Sequence, residues 1–293
     1  MSANSEYNSV VCVKQVPDTQ NLSGEAMKED GTVNRSALPA IVNPEDLNAL
    51  ELALELKDEH GGTVTAISMG PPSASEALRQ CLYRGADRAI LLSDRKFAAS
   101  DTLATSYALS CAISQLENVD FVFCGRQAID GDTAQIGPQL AHKLGLPQVT
   151  YVEAINEISP DRVTVRRGFE RGYEICTAPV PLLMTVRDTA NEPRPPAVKR
   201  LMKYKKARTP EELEEEWDGY ELEMVEEKGL LIEQWGASEA DCDVDRCGLS
   251  GSPTRVKNID SVKLVSEEHE ELEPTAEGMD ALVKKLQSEH IFD

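Results

Sequence analysis

Glycines, aspartates and glutamines crowd one short stretch of the chain, CGRQAIDGDTAQIGPQLAHKLG, at residues 124–145. An apolar run precedes this stretch and a helical pattern follows it, so the polar residues form a turn between a strand and a helix. Gly125 and Gly131 allow close backbone approach and positive φ angles. The unpaired amides at residues 133–136, in the first turn of that helix, would bind an anion such as a nucleotide phosphate, with the side chains of Thr133 and Gln135 as further donors.

The same residues also fit an ordinary strand-to-helix connection in which Asp132 caps the helix, and the residues alone leave both interpretations open. The phosphate-binding patterns G-x-x-x-x-G-K-[ST] and G-x-G-x-x-G are missing after the first strand. The catalytic signatures G-x-S-x-G and H-E-x-x-H are missing as well. We therefore expect a binding site without a catalytic residue of the chain's own.

Apolar strands alternate with helical patterns through the first half of the chain. The predicted strands span 10–16, 64–69, 89–92, 119–124 and 149–154, and the predicted helices span 44–60, 75–84, 101–116 and 133–144. This alternation predicts a doubly wound α/β fold with a mainly parallel sheet covered on both faces. Ligands bind outside the carboxyl ends of such strands, so the positions after Cys12, Met69, Leu92 and Cys124 matter most.

The pattern changes beyond residue 160. Residues 162–176 predict a hairpin around Gly168 and Gly172, and an apolar strand at 182–186 follows it. A proline-rich stretch and a basic segment then lead to acidic residues 211–227, which we interpret as a solvated helix or arm. The apolar spacing of the last residues predicts an amphipathic C-terminal helix. We therefore predict two regions, an α/β domain at 1–190 and a region at 191–293 that contains the basic segment, the acidic segment and the C-terminal helix.

Composition excludes several classes of function. The net charge of −21, with 51 acids against 30 bases, argues against a nucleic-acid partner. The seven cysteines form no C-x-x-C pair and the four histidines form no metal-like cluster, so we expect free thiols and no metal site. Without a secretory signal at residues 1–9 or an apolar run of about 18 residues, we expect a cytoplasmic protein that contacts membranes only through a partner.

Several motifs occur together and in order: CVKQVPD, NPEDLNALE, SMGPP, GRQAIDGDTAQIGPQ, NEPRP and GLSGSPT. With these motifs the chain closely resembles the β subunit of electron transfer flavoprotein, ETF. The resemblance implies a heterodimer with an ETF α subunit, in which the domain at 1–190 binds an adenine nucleotide and the region at 191–293 contacts the partner subunit. In the ordinary branch of the family that nucleotide is AMP, and the single FAD lies mainly on α and receives electrons from acyl-CoA dehydrogenases.

In the electron-bifurcating branch a second FAD takes the place of AMP. That flavin accepts hydride from NADH, and one electron goes to ferredoxin or flavodoxin. The other goes through the α-subunit FAD to an acyl-CoA dehydrogenase or an ETF-quinone oxidoreductase. The segments KQVPDT and GRQAIDGDTAQ resemble those of the bifurcating group. In that group the region at 20–37 protrudes towards the flavin, and here it is longer and more charged than a minimal hairpin.

The resemblance also implies site residues. The nucleotide contacts carry over to Cys12, Asn43, Pro44, Glu45, Asp46, Met69, Gly125, Arg126, Gln127, Ala128, Ile129, Asp130, Gly131, Asp132, Thr133, Ala134, Gln135 and Ile136. A recognition loop for the dehydrogenase carries over to 194–206, with Val198 as the apolar anchor and Lys199, Arg200, Leu201 and Lys203 around it. For Cys12 and Met69 the alternative is core packing, and for the loop it is a disordered basic linker.

Two other classes of function fit the same architecture. One is a nucleotide-sensing protein with no redox role. The other is an enzyme that hydrolyses a nucleotide or adenylates a substrate. The adenylating class favours a loop such as S-G-G-x-D-S after the first strand, and KQVPDTQ is not such a loop.

Overall fold

The computed structural model of the protein describes residues 6–18, 39–215, 221–255, 271–289 and 291. The chain divides into two compact units. Among the described residues, the first unit comprises 6–18, 39–215 and 221–255, and the second comprises 271–289 and 291. No helix in these ranges combines the length and apolar character that a membrane span requires. The predicted protrusion at 20–37 lies outside the described residues.

The first unit contains all the strands and seven of the helices described in the structure. The strands are β1 Ser9–Cys12, β2 Gln15–Pro17, β3 Ala40–Val42, β4 Val64–Met69, β5 Arg88–Leu92, β6 Phe121–Gly125, β7 Gln148–Ser159, β8 Arg162–Phe169, β9 Gly172–Pro179, β10 Leu182–Val186 and β11 Glu233–Trp235. The helices are α1 Pro44–His60, α2 Ser75–Arg84, α3 Thr102–Ser114, α4 Ile136–Leu144, α5 Val198–Tyr204, α6 Pro210–Glu215 and α7 Leu222–Glu227. In the second unit the structure describes α8, Ala276–Ser288.

Nine strands form one sheet in the order β11-β5-β4-β1-β6-β10-β7-β8-β9. The first seven of these run parallel, and β8 and β9 continue the sheet antiparallel as the predicted hairpin. Side chains alternate along each strand, because Val11 packs towards α1 and α2 while Val10 and Cys12 pack towards α3 and α4. Two cores therefore cover the two faces, and the predicted doubly wound α/β fold is confirmed.

Three predicted elements differ most from the structure in their bounds. The fifth strand, predicted at 149–154, is β7 and spans Gln148–Ser159. The first strand ends at Cys12, and residues 15–17 pair antiparallel with β3 in a separate two-stranded sheet. The fourth helix begins at Ile136 rather than at Thr133. Asp132 and Ala134 have φ angles of 49° and 52°, which an α-helix cannot include. The turn is therefore longer than the sequence predicts.

The acidic region is only partly the solvated arm that its composition predicts. It contains α6 and α7, and the Glu212 carboxylate pairs with the largely buried Arg79 guanidinium and accepts a hydrogen bond of 2.8 Å from Ser75 Oγ. Val225 on α7 is fully buried. A buried guanidinium needs a carboxylate partner, and this requirement holds the acidic region against α2.

The second unit confirms the predicted C-terminal helix. Thr275 caps α8, since its hydroxyl accepts a hydrogen bond of 3.2 Å from the amide of Gly278. The helix has no buried residue, and apolar Met279 and Val283 are exposed along it. The division of the chain at residue 190 stays a prediction.

Candidate functional site

The chain connections place a topological switch point at β1. From β1 the chain moves through β4 to β5 on one side, and β6 then pairs with the other side of β1. A crevice at the carboxyl ends of β1 and β6 is the expected ligand position in a doubly wound sheet. Cys12 and Cys124 lie side by side in the register of these two strands, and the turn at 125–136 begins there.

Buried side chains at the start of α1 hold the first half of this turn. Asn43 Nδ2 donates a hydrogen bond of 2.9 Å to the carbonyl of Gln127, and Asn43 Oδ1 accepts one of 3.1 Å from the amide of Ile129. Glu45 accepts a hydrogen bond of 2.9 Å from the amide of Gln127 and pairs with Arg126 at 3.0 Å. The polar atoms of this motif therefore fix the backbone around the site.

Asn43 does not act as the side-chain cap that the sequence suggests. It occupies the cap position of α1, but its amide group bonds to the turn and makes no capping hydrogen bond. The turn residues lie more than 80 positions away in sequence, so helix-start rules could not reveal this use. Direct contact of residues 43–46 with a nucleotide stays a prediction.

Asp46 joins the ends of the two central strands. Its carboxylate accepts hydrogen bonds from the amide of Lys14 at 2.8 Å and from the amide of Gly125 at 3.1 Å. Burial raises the pKa of this carboxyl from 3.8 to about 7, against the lowering effect of its hydrogen bonds. The role of Lys14 was not predicted, although the residue lies within the CVKQVPD motif.

A glycine is required at position 125 because the start of α1 packs closely against the end of β6. A Cβ atom on Gly125 would lie 2.4 Å from Asp46 Oδ1 and 2.8 Å from the carbonyl carbon of Glu45. Such distances are far below van der Waals contact, so no other residue fits while α1 keeps its position. This glycine serves the packing of the helix start against β6.

The second half of the turn differs, because it is open. A Cβ atom on Gly131 would meet nothing within 4 Å, and residues 131–133 are exposed. Lys14 Nζ lies 2.7 Å from Asp130 Oδ2, and Gln127 Nε2 donates to Asp132 Oδ1 at 2.9 Å. The amides of residues 133–137 donate to no acceptor in the described part of the chain. This half can accept a ligand with several acceptor oxygens.

Three predicted side chains are already engaged elsewhere or lie at the edge of the core. Gln135 Oε1 accepts a hydrogen bond of 2.7 Å from Thr102 Oγ1 on α3. Cys12 is buried and Met69 is partly buried against the core on the α3 and α4 side. Contact with the Cys12 thiol and burial together raise the pKa of the Cys124 thiol well above its usual range. The Cys124 thiol is therefore neutral at physiological pH.

The predicted recognition segment at 194–206 contains helix α5, which spans Val198–Tyr204. Val198 is the first residue of α5 and is 78% exposed, with Leu201 and Met202 exposed on the same helix. The alternative of a disordered linker is wrong for these residues. Arg200 donates from Nε to the carbonyl of Leu82 at 2.7 Å and from a terminal nitrogen to the carbonyl of Ala86, so it anchors α5 to the fold. Partner binding by this segment stays a prediction.

Comparison with known proteins identifies the family of this chain. The model of the electron transfer flavoprotein domain matches residues 30–215. The chain is 43% identical over 284 residues to the electron transfer flavoprotein subunit beta of Clostridium acetobutylicum. The aligned region covers 97% of this chain and 99% of that protein.

Two further relatives belong to named reductases. The acryloyl-CoA reductase electron transfer subunit gamma of Anaerotignum propionicum is 45% identical, over 84% of this chain and 85% of that protein. Subunit CarD of the caffeyl-CoA reductase-Etf complex of Acetobacterium woodii is 43% identical, with 84% and 85% covered. On these matches, the chain belongs to the electron transfer flavoprotein family, among its beta subunits.

Proposed function

We propose that the turn at 125–136 holds the adenine-nucleotide half of an FAD, and that the chain works in a heterodimer with an ETF α subunit. The observation that carries the proposal is the open half of the turn at the switch point, with unbonded amides at 133–137 and free space over Gly131. Phosphates need clustered amide donors and close backbone approach, and the residues present fit both requirements.

The buried residues at the start of α1 would support ligand binding indirectly, by fixing the backbone of the turn. Asn43, Glu45 and Asp46 hold four backbone amides and one carbonyl in fixed positions without the ligand. A turn that is already ordered loses little conformational entropy when it binds. Cys12 and Met69 supply apolar surface beside the strand ends, where an adenosine would lie.

The bound flavin would supply the redox chemistry, namely hydride acceptance from NADH and single-electron transfer both to ferredoxin or flavodoxin and, through the α-subunit FAD, to an acyl-CoA dehydrogenase or ETF-quinone oxidoreductase. The two relatives named for acryloyl-CoA and caffeyl-CoA reductases support an acceptor that acts on CoA thioesters. The assignment to the bifurcating branch depends on the resemblance of KQVPDT and GRQAIDGDTAQ. The exposed apolar residues of α5 would dock the dehydrogenase.

The second candidate is an ordinary ETF β subunit that binds AMP in the same turn. The open half of the turn favours a phosphate in both cases, because AMP and FAD share the group that it would bind. The two differ in flavin content and in the response to NADH.

The test is to co-purify the chain with its α subunit, extract the cofactors and titrate the complex with NADH without oxygen. We expect two FAD per heterodimer and reduction of the β-associated flavin by NADH. One FAD with one AMP and no reduction would contradict bifurcation and support the AMP-binding alternative. A colourless protein that carries ATP would contradict both and support a nucleotide sensor, or an adenylating enzyme if it also turned ATP over.

A further inference from the structure

A second cleft lies beside the turn, where β10, β7 and the β8–β9 hairpin meet. Its volume is about 540 Å³, within the roughly 300 to 1,000 Å³ typical of small-molecule sites. We call it the arginine cleft, and its lining residues are Arg126, Tyr151, Gly168, Phe169, Glu170, Arg171 and Arg187. Only Arg126 also belongs to the proposed nucleotide turn.

The arginine cleft is rich in guanidinium groups, of which that of Arg126 is already paired with Glu45 at 3.0 Å. Three guanidinium groups and a single carboxylate line it, although the chain carries a net charge of −21. The Arg187 guanidinium lies 3.6 Å from Glu153, and its Nε is buried with no hydrogen-bond partner among the described residues. A buried donor of this kind is costly unless an acceptor reaches the same guanidinium group.

Two irregular backbone features lie beside the arginine cleft. Tyr151 has a φ angle of 60°, which is rare for a bulky residue, and its amide donates to Thr185 Oγ1 at 3.2 Å. A register shift between Met184 and Val186 interrupts the pairing of β10 with β7 at the same level. Strained backbone of this kind concentrates at binding sites, where the surrounding structure enforces it.

Gly168 and the aromatic residues complete the wall. A Cβ atom on Gly168 would lie 2.1 Å from Glu153 Oε1 and 2.9 Å from a terminal nitrogen of Arg187, so a side chain there would displace the arginine. Tyr151 and Phe169 are both partly exposed at the cleft. Their rings offer flat apolar surfaces beside the guanidinium groups.

We propose that the arginine cleft is a binding site for a nucleotide diphosphate group, with Arg171 and Arg187 on the phosphates and the rings of Tyr151 and Phe169 against the base or nicotinamide. Arginine binds phosphate oxygens through two parallel hydrogen bonds, and aromatic side chains stack on heterocyclic rings. Free ADP and a nicotinamide dinucleotide share this chemistry. The two groups proposed to bind the phosphates, Arg171 and Arg187, lie outside the turn, so the proposal applies whether the turn holds FAD or AMP.

The test uses the co-purified heterodimer with its own cofactors in place, so that the turn is already filled. Inorganic pyrophosphate, ADP and NAD⁺, which cannot reduce the flavin, are titrated separately by calorimetry at fixed ionic strength. The variants are Arg187→Gln, Arg171→Gln and Tyr151→Ala. The matched control is Arg162→Gln, which removes the same charge from an exposed position on β8 that does not line the cleft.

We expect each cleft arginine variant to weaken pyrophosphate and ADP binding by about tenfold, the loss of one charged hydrogen-bonding partner. Tyr151→Ala should weaken ADP and leave pyrophosphate unchanged, and Arg162→Gln should change neither. A matching loss for NAD⁺ would identify the dinucleotide as the occupant, and a loss for ADP alone would identify the free nucleotide.

Equal affinities in all variants, or no pyrophosphate binding to the unmodified heterodimer, would overturn the assignment. Arg171 is exposed, so Arg171→Gln keeps the test valid even if Arg187→Gln disturbs the pairing with Glu153. Flavin content, measured on the same samples, should be equal in Arg171→Gln and the unmodified complex. A failure of this site is thereby distinguished from a failure of the proposed cofactor assignment.

Discussion

The turn at 125–136 and helix α5 are fixed in opposite ways. In the turn, buried side chains from α1 bind the backbone: Asn43, Glu45 and Asp46 together make five hydrogen bonds to main-chain groups of the turn and of Lys14. In α5, one side chain of the helix itself, Arg200, donates to the carbonyl of Leu82 in the last turn of α2 and to the carbonyl of Ala86 just after that helix. Val198 and Met202 are left exposed.

The two regions are fixed differently because they present different chemical groups to what they would bind. A phosphate site presents backbone amides, and these must be held in place by groups behind them. A docking helix presents side chains, so it needs only an anchor and a rigid backbone of its own. Substitutions behind the turn should therefore lower stability, and substitutions at its front should weaken ligand binding. Substitutions in α5 should lower only electron transfer to the partner.

Gly125→Val should have the largest effect. The new side chain would overlap the Asp46 carboxylate and the backbone of Glu45, so α1 must move away from β6. We expect a loss of about 3 kcal/mol or more in the free energy of unfolding, together with loss of nucleotide. Chemical denaturation measures the first and cofactor extraction the second. A variant of normal stability would show that α1 can shift freely.

Gly131→Val tests the front of the same turn. Nothing in the protein lies within 4 Å of the new Cβ atom, so the fold should persist while the side chain blocks the approach of a phosphate. We expect nucleotide affinity to fall about a hundredfold or more, roughly 3 kcal/mol, with the unfolding transition little changed. Retention of nucleotide at normal stoichiometry would contradict the assignment of the turn.

Val198→Asp tests α5. A charge at an exposed apolar anchor would have to be desolvated on docking, so electron transfer to the dehydrogenase should fall about tenfold or more. Reduction of bound flavin by NADH should stay near normal. Leu222→Asp on α7, another exposed apolar position, is the matched control and should transfer electrons to the dehydrogenase at the normal rate. Unchanged transfer in Val198→Asp would mean that the partner docks elsewhere.

Periodicity and turn residues were enough to predict the parallel sheet, its covered faces and the turn after β6. They failed where a distant group decides the local structure. The first strand ends at Cys12 because the amide of Lys14 bonds to Asp46, 32 residues away, instead of continuing a ladder. The acidic residue Glu212 is held by Arg79, 133 residues away. Such pairings leave no periodic signal in the sequence.

The smallest effect should come from the charge of Asp46, and it should depend on pH. Burial raises the pKa of this carboxyl to about 7 in the folded protein, above its ordinary 3.8, so the folded state holds a proton that the unfolded state releases. The contribution of Asp46 to stability is therefore present below about pH 4 and is lost as the pH rises towards 7.

Asp46→Asn removes this titration while keeping the size of the side chain. The asparagine can accept from the amide of Lys14 or of Gly125, but its NH₂ group faces the other donor, so the variant should be less stable overall. The difference in the free energy of unfolding between the two proteins should narrow from pH 6 to pH 7 by on the order of 1 kcal/mol, because the unmodified protein alone loses stability there through this group. Denaturation curves of both proteins at several pH values measure this difference. If it stays constant with pH, the Asp46 carboxyl is ionised throughout this range, and its two amide bonds outweigh its burial.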